Sequence, residues 1–223
     1  MNFFETATIN DLLNVEHKID TIVIATKNEG KIREIGDMLN DLNIEVKSLS
    51  DFPNIPDAIE DGDTFIDNAR IKATFYSKHL NLPCVADDSG LAVEYLNNEP
   101  GVYSARWSGD HNQQANNAKL VNELKKKNLD ESPAVYHCAL VFHDTNGNEI
   151  VTTGKLCGVV KTVCSGKYGF SYDPYFWING HTVADLTTEE KNKISHRGIA
   201  RKNMHDMLKR YIGDYNNGYD DEE

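Results

Sequence analysis

Thr21-Ile22-Val23-Ile24-Ala25 is an unbroken run of β-branched and small apolar residues. A strand with one wet face alternates apolar and polar side chains, so an unbroken run reads as a strand buried on both faces. The sequence supplies a covering helix at once. After the polar turn Thr26-Lys27-Asn28-Glu29-Gly30-Lys31, the residues Ile32, Ile35, Met38 and Leu39 recur at helical spacing. Strand, turn with Gly and Lys, then helix suits an anion: the first helical N–H groups are free and Lys31 adds a charge. The turn lacks the second glycine and the Lys-Ser/Thr ending of a Walker loop, and a capped helix start with an exposed lysine accounts for it equally well.

The central stretch is Val85-Ala86-Asp87-Asp88-Ser89-Gly90-Leu91-Ala92-Val93. Two apolar runs flank two carboxylates, a hydroxyl and a glycine, which predicts a strand breaking at a tight turn with Gly90 supplying backbone freedom. Adjacent carboxylates on a strand point to opposite faces and repel each other, so they divide their work. One would position, while the other faces a divalent cation or an attacking water. A solvated turn is the competing reading, since Asp, Ser and Gly all form turns.

Further along, Ile44 to Leu49 reads as a strand. In Glu60-Asp61-Gly62-Asp63-Thr64-Phe65-Ile66-Asp67-Asn68-Ala69-Arg70-Ile71-Lys72, Thr64 and Asp67 resemble a capping box for a helix to about His79. Lys72 shares a helix side with Phe65, Ala69 and Tyr76; it either snorkels or aims a cation at a phosphate. Pro100 to Trp107 reads as a structured loop, and Asn112 to Lys127 as a polar helix with Ala115, Ala118 and Leu120 or Val121 inward. Ala134 to His143 and Glu149 to Val160 are strands joined through Asn146-Gly147, a hairpin signal, and predict a second lobe. His137 and His143 read as structural or exposed. Gly166-Lys167-Tyr168-Gly169-Phe170-Ser171-Tyr172-Asp173-Pro174 is an aromatic-glycine loop suited to a planar ligand or to plugging the fold. Thr187 to Glu190 forms a capping box. Lys191, His196 and Arg197 then gather near the start of a last helix that runs to about Tyr211, an anion-facing arrangement.

The net charge of -12 disfavours nucleic acid and anionic membranes as general partners, because a polyanion is repelled unless basic residues are clustered. Cys84, Cys138, Cys157 and Cys164 make neither a zinc-ligand spacing nor a disulfide framework, and reduced thiols suit the cytoplasm. No signal peptide or transmembrane run is visible. Residues 1–20 read as an appendage, 21–212 as the main domain, and 213–223 as an acidic, disordered tail.

Six blocks together resemble the inosine/xanthosine triphosphate pyrophosphatase family. They are Thr26-Lys-Asn-Glu-Gly-Lys31, Glu60 to Lys72, Ala86-Asp-Asp-Ser-Gly-Leu-x-Val93, Pro100-Gly-Val-Tyr-Ser-Ala-Arg106, Phe170-Ser-Tyr-Asp-Pro174, and Lys191 with Ile194-Ser-His-Arg197. They span about Thr21 to Leu208. Lys27 and Ser171 stand where the family has glycine, and Asn97-Asn98 where glycines are common; Asn tolerates the same left-handed backbone.

The resemblance implies an elongated α/β fold, with a mixed sheet, flanking helices and two lobes about a cleft. It implies a Mg²⁺-dependent homodimer that hydrolyses ITP, dITP or XTP to the monophosphate and pyrophosphate. Glu60 and Asp88 would lie at the metal, with Asp88 activating water. Thr26, Lys27, Asn28, Glu29, Gly30, Lys31, Lys72, Ser89 and Lys191 would contact the substrate. From the aromatic loop, Phe170, Ser171 and Tyr172 would meet the purine, Phe170 by stacking, while Asp173, His196 and Arg197 read its edge. Two other readings stay open: a pyrophosphatase for other modified or pyrimidine nucleotides, and a nucleotide-binding module without turnover. The second would have no need of a water-activating carboxylate.

Overall fold

The computed structural model describes residues 19–109 and 112–217. The expected appendage up to Lys18 and the last residues of the expected tail lie outside them. The chain forms two compact units, each built from separated stretches of sequence. One takes the residues up to Asp88, Ala139–Thr152 and the chain from Ala200 onward. The other takes Ser89–Cys138 and Thr153–Ile199.

In the first unit, β1 (Thr21–Ile24) pairs in parallel with β2 (Glu45–Ser48), register Thr21 to Glu45 through Ile24 to Ser48. It also pairs in parallel with β3 (Cys84–Val93), Val23 opposite Cys84 and Ile24 opposite Val85. The order continues to β5 (Glu131–His143) and β6 (Glu149–Lys161). Alternate residues serve opposite faces. Val23, Ala25, Ala86, Ala139 and Val141 pack against Ala69, Ala73 and Tyr76 of α2 (Phe65–Leu80). Ile22, Ile24, Leu140 and Phe142 are fully buried too, so both faces are covered, as the unbroken apolar run requires. Each such aliphatic side chain contributes ~1.5–3 kcal/mol. α1 (Glu29–Leu39) buries Ile35, Met38 and Leu39. α5 (His196–Asn217) buries Ala200, Met204 and Leu208 at helical spacing. α5 runs on past the boundary expected at 212.

The second unit is organised on its own parts of β3, β5 and β6. Added to these are β4 (Glu99–Pro100) antiparallel on β3, β7 (Phe176–Ile178) antiparallel on β6, and β8 (His181–Thr182) on β7. Its core gathers Leu91, Val93, Leu96, Tyr136, Val160, Tyr172 and Phe176 with Leu120 and Leu124 of α3 (Gln113–Lys126). α4 (Thr188–Ile194) has the expected capping box: Thr187 Oγ1 accepts from Glu190 N–H and the Glu190 carboxylate accepts from Thr187 N–H. The mixed sheet with flanking helices is the expected α/β class.

Several local expectations change. β3 does not break: Asp87 and Asp88 sit inside one ten-residue strand, and Gly90 is not among the positive-φ glycines of the described residues. Partners for both carboxylates, set out below, remove the need for a turn. The Ala134–Val160 hairpin is not a lobe of its own, because its tip, Ala139–Thr152, belongs to the first unit. A buried carboxylate holds it there: Asp144 Oδ1 accepts from the N–H groups of Asn146 and Asn148, and Oδ2 from Tyr211 Oη at 2.6 Å. On α3, Ala118 is exposed and Asn116 is buried, because Asn116 finds backbone partners inside. Thr64 caps α2 by accepting from Asp67 N–H. The Asp67 carboxylate takes the Thr64 hydroxyl at 2.6 Å, being one methylene shorter than the Glu that closes the box onto the backbone.

Candidate active site

The first unit gathers two lysines and three carboxylates. Asn28 caps α1 by accepting from Lys31 N–H at 3.1 Å, which fixes where Lys31 leaves the backbone. Its ammonium lies 2.8 Å from the buried Asp87 carboxylate. Asp88, on the other side of β3, lies 3.8 Å from Lys72, and Lys72 donates to Glu60 at 2.7 Å. The alternation of the strand thus gives each Asp its own lysine. Lys72 is a buried cation, 11% exposed, rather than a snorkelling one.

Charge sets the protonation states. Burial pushes the Asp88 carboxyl up to about 6; Lys72 opposes this and Asp87 adds to it. Burial alone would lower the Lys72 ammonium, but Asp88, Asp87 and Glu60 outweigh it and raise it. Asp88 Oδ2 is buried without a hydrogen-bond partner among the described residues. A desolvated carboxylate with an unused oxygen is poised to take a cation or a proton. Among the described residues no three His, Cys, Asp or Glu converge as a metal cage. Of the other turn residues, Thr26 Oγ1 accepts from Asn28 N–H, Glu29 and Gly30 open α1, and Lys27 pairs at the surface with Asp57 at 2.7 Å.

The second unit gathers the aromatic loop and the start of α5. Phe170 is 44% exposed, with Lys191 Nζ 4.5 Å and Arg197 Cζ 5.2 Å from its ring centre, a cation–π arrangement on both counts. Asp173 is buried. It pairs with Lys191 at 2.5 Å, accepts from Phe170 N–H at 2.8 Å, and takes the Tyr136 hydroxyl at 3.3 Å. Burial and the Asp173 charge hold the Tyr136 hydroxyl well above its ordinary range, so it stays a donor. Gly169 has φ 83°, and a Cβ there would press on the Asp173 carboxylate. His196 stacks on Tyr136 at 4.7 Å, and Arg197 Nη2 donates to Ser89 Oγ at 3.1 Å. Gly198 follows because a Cβ would run into the Asn192 carbonyl.

Tyr172 corrects the expectation of a ligand contact. It is 1% exposed, a core residue whose hydroxyl donates to Ser104 O at 2.8 Å. The loop turns Phe170 outward and Tyr172 inward, so one segment both presents a ring and plugs the core. Ser171, between them, has φ 59°. Asn97 and Asn98 likewise adopt positive φ, 56° and 63°. Sequence reasoning missed Tyr136 and Asn117 as supports of this loop; nothing in a β-strand tyrosine or a helical asparagine announces a partner that far along the chain.

Lys31 in the first turn of α1 and the buried Lys72 of α2 stand beside a desolvated carboxylate on an α/β sheet, a set of groups suited to an anion. The Ham1 family matches residues 22–207, and the chain belongs to that family. It is 44% identical over 189 residues to the dITP/XTP pyrophosphatase of Lactiplantibacillus plantarum, covering 84% of this chain and 94% of that protein. With the dITP/XTP pyrophosphatase of Geobacter sulfurreducens it shares 43% over 190 residues, 84% of this chain and 96% of that one. The solved structure of the Staphylococcus aureus Ham1 protein matches with a TM-score of 0.78 at 35% identity, over 86% of this chain and 99% of that one.

Proposed function

We propose that this protein hydrolyses dITP, XTP and ITP at the α-phosphorus, giving the nucleoside monophosphate and pyrophosphate. The observation that carries this is the 44% identity maintained over 94% of a dITP/XTP pyrophosphatase. The residues of both units fit the chemistry. Glu60 and Asp88 would hold a divalent cation, and the unused Asp88 Oδ2 suits an ion that takes one or two carboxylates and completes its shell with substrate and water. Mg²⁺ bound there would offset phosphate charge and make a bound water more acidic.

Asp88 accepts the proton of the attacking water. Lys31 and Lys72 offset phosphate charge, with Asp87 and Glu60 fixing their ammonium groups. Phe170 offers its exposed face to the purine. Arg197 and His196 present donors to a 6-oxo group; the 6-amino group of adenine would leave donors facing donors in a desolvated site. The same reading makes the protein a cytoplasmic homodimer. No helix among the described residues is long and apolar enough to cross a membrane.

Phosphorus NMR of ITP with Mg²⁺ tests the assignment. IMP and pyrophosphate are expected as the only products, and IDP with orthophosphate would overturn it. Excess chelator is expected to abolish turnover, Mg²⁺ or Mn²⁺ to restore it, and Ca²⁺ to restore it poorly because its coordination is larger and looser.

A further inference from the structure

Two neighbouring side chains on α3 hold two different loops. Asn116 Oδ1 accepts from Ser108 N–H at 2.7 Å and its Nδ2 donates to Ala105 O at 3.0 Å. Asn117 Nδ2 donates to the carbonyl of Ser171 at 2.9 Å. A carbonyl only accepts, so the Asn117 amide must present its NH₂ there and its orientation is fixed. Asn117 Oδ1 is then left buried without a hydrogen-bond partner among the described residues. The carbonyl it holds belongs to the residue with φ 59°, a backbone conformation that side-chain-bearing residues seldom take unaided. Directly before that residue stands Phe170, whose ring is turned outward beside Lys191 and Arg197.

We infer that Asn117 is a positioning residue for purine recognition: its amide clamps the Ser171 carbonyl and so holds the loop in the left-handed form that presents Phe170. This rests on the function proposed above. The clamp does what a glycine at 171 would do by conformational freedom, and it fixes one loop shape among those a glycine would allow. Asp173 closes the other end of the same turn by accepting from Phe170 N–H.

Asn117→Asp keeps the volume but sets an acceptor against an acceptor. Its KM for dITP is expected to rise roughly tenfold, the weight of an ordinary hydrogen bond, with kcat within about twofold, because the loop meets the base and not the reacting phosphorus. Adding Ser171→Gly is expected to recover part of the loss, since glycine adopts the conformation without help. Amide hydrogen exchange at residues 169–173, measured without substrate, is expected to quicken in Asn117→Asp.

An unchanged KM, a loss confined to kcat, or no recovery from Ser171→Gly would each overturn the inference. So would unaltered exchange. If the wild type hydrolysed no nucleoside triphosphate, the proposed function would fall by itself, while the exchange comparison would still decide whether Asn117 holds the loop.

Discussion

Asp88→Asn is expected to lose turnover by roughly 10²–10⁴, the range for a positioned general base, while nucleotide still binds. The same substitution is expected to stabilise the cation-free protein. An ionised Asp88 is held in a desolvated place, with its carboxyl raised from 3.8 to about 6. A raised carboxyl favours the fold in its protonated form. That contribution is complete below the unfolded value near 3.8 and is lost as pH rises through about 6. Above that pH the neutral amide gains most, on the order of 3 kcal/mol at the upper end. Turnover of the wild type should run the opposite way, failing as pH drops and the base takes its proton. With a cation bound, the fall should shift to lower pH, since a nearby positive charge favours the carboxylate. Steady-state kinetics and urea unfolding with chelator, each across pH 5–8, are the measurements. A variant that keeps turnover, or one less stable than wild type at pH 8, would refute this account.

Lys72→Met is the second large effect, and it reverses the stability outcome. The ammonium lies 2.7 Å from Glu60 and 3.8 Å from Asp88, and the side chain is 11% exposed. Removing it leaves Glu60 and Asp88 without their shared counter-charge, while Asp87 keeps Lys31. Breaking a buried ion pair from one side costs about 3 kcal/mol or more. Part of that should return at pH 5, because the Asp88 carboxyl, raised by burial and in the variant no longer opposed by Lys72, is then largely protonated and needs no counter-charge. Turnover should fall at least tenfold at pH 7.5, both because the substrate phosphates lose a cation and because Asp88 becomes harder to ionise. Urea midpoints at pH 5 and 8 that match those of the wild type would contradict the placing of Lys72 at the centre of the cluster.

How much of this could be read from the residues depended on how local its cause was. The strand at Thr21 and the helix carrying Ile32, Ile35, Met38 and Leu39 follow from the side-chain pattern; the strand stands where expected, and the helix starts earlier, at Glu29 inside the expected turn. The Thr187–Glu190 box follows from four neighbouring residues and is intact. The placing of Asp87 and Asp88 on opposite sides followed from the alternation of a strand, and each has its own lysine. The predicted break at Asp88 failed because turn propensity was weighed without those lysines, which come from positions 31 and 72. Tyr172 and Phe170 are indistinguishable by composition. The Ser104 carbonyl, far back in the chain, and the core around Leu91 and Phe176 take the Tyr172 ring inward. Asn116 and Asn117 looked like the polar face of a solvated helix, and their backbone partners made one of them core.

The interleaving of the two units has a consequence for how the molecule comes into being on the ribosome. Neither unit is a contiguous stretch: the second waits for residues up to Ile199, and the first for the chain from Ala200 onward. The buried Asp144 carboxylate receives its Tyr211 hydroxyl only after that final helix has been made. β1, α1, α2 and the first half of β3 can associate early, since their pairings are short in sequence. The hairpin tip and the last helix must then be added to a surface that has been exposed through most of synthesis. Such contacts close long loops, and loop closure makes them slow. The emerging chain therefore carries Phe142, later fully buried with its ring 5.6 Å from that of Tyr211, uncovered on that side until α5 arrives. That interval is when the nascent protein is most open to wrong association.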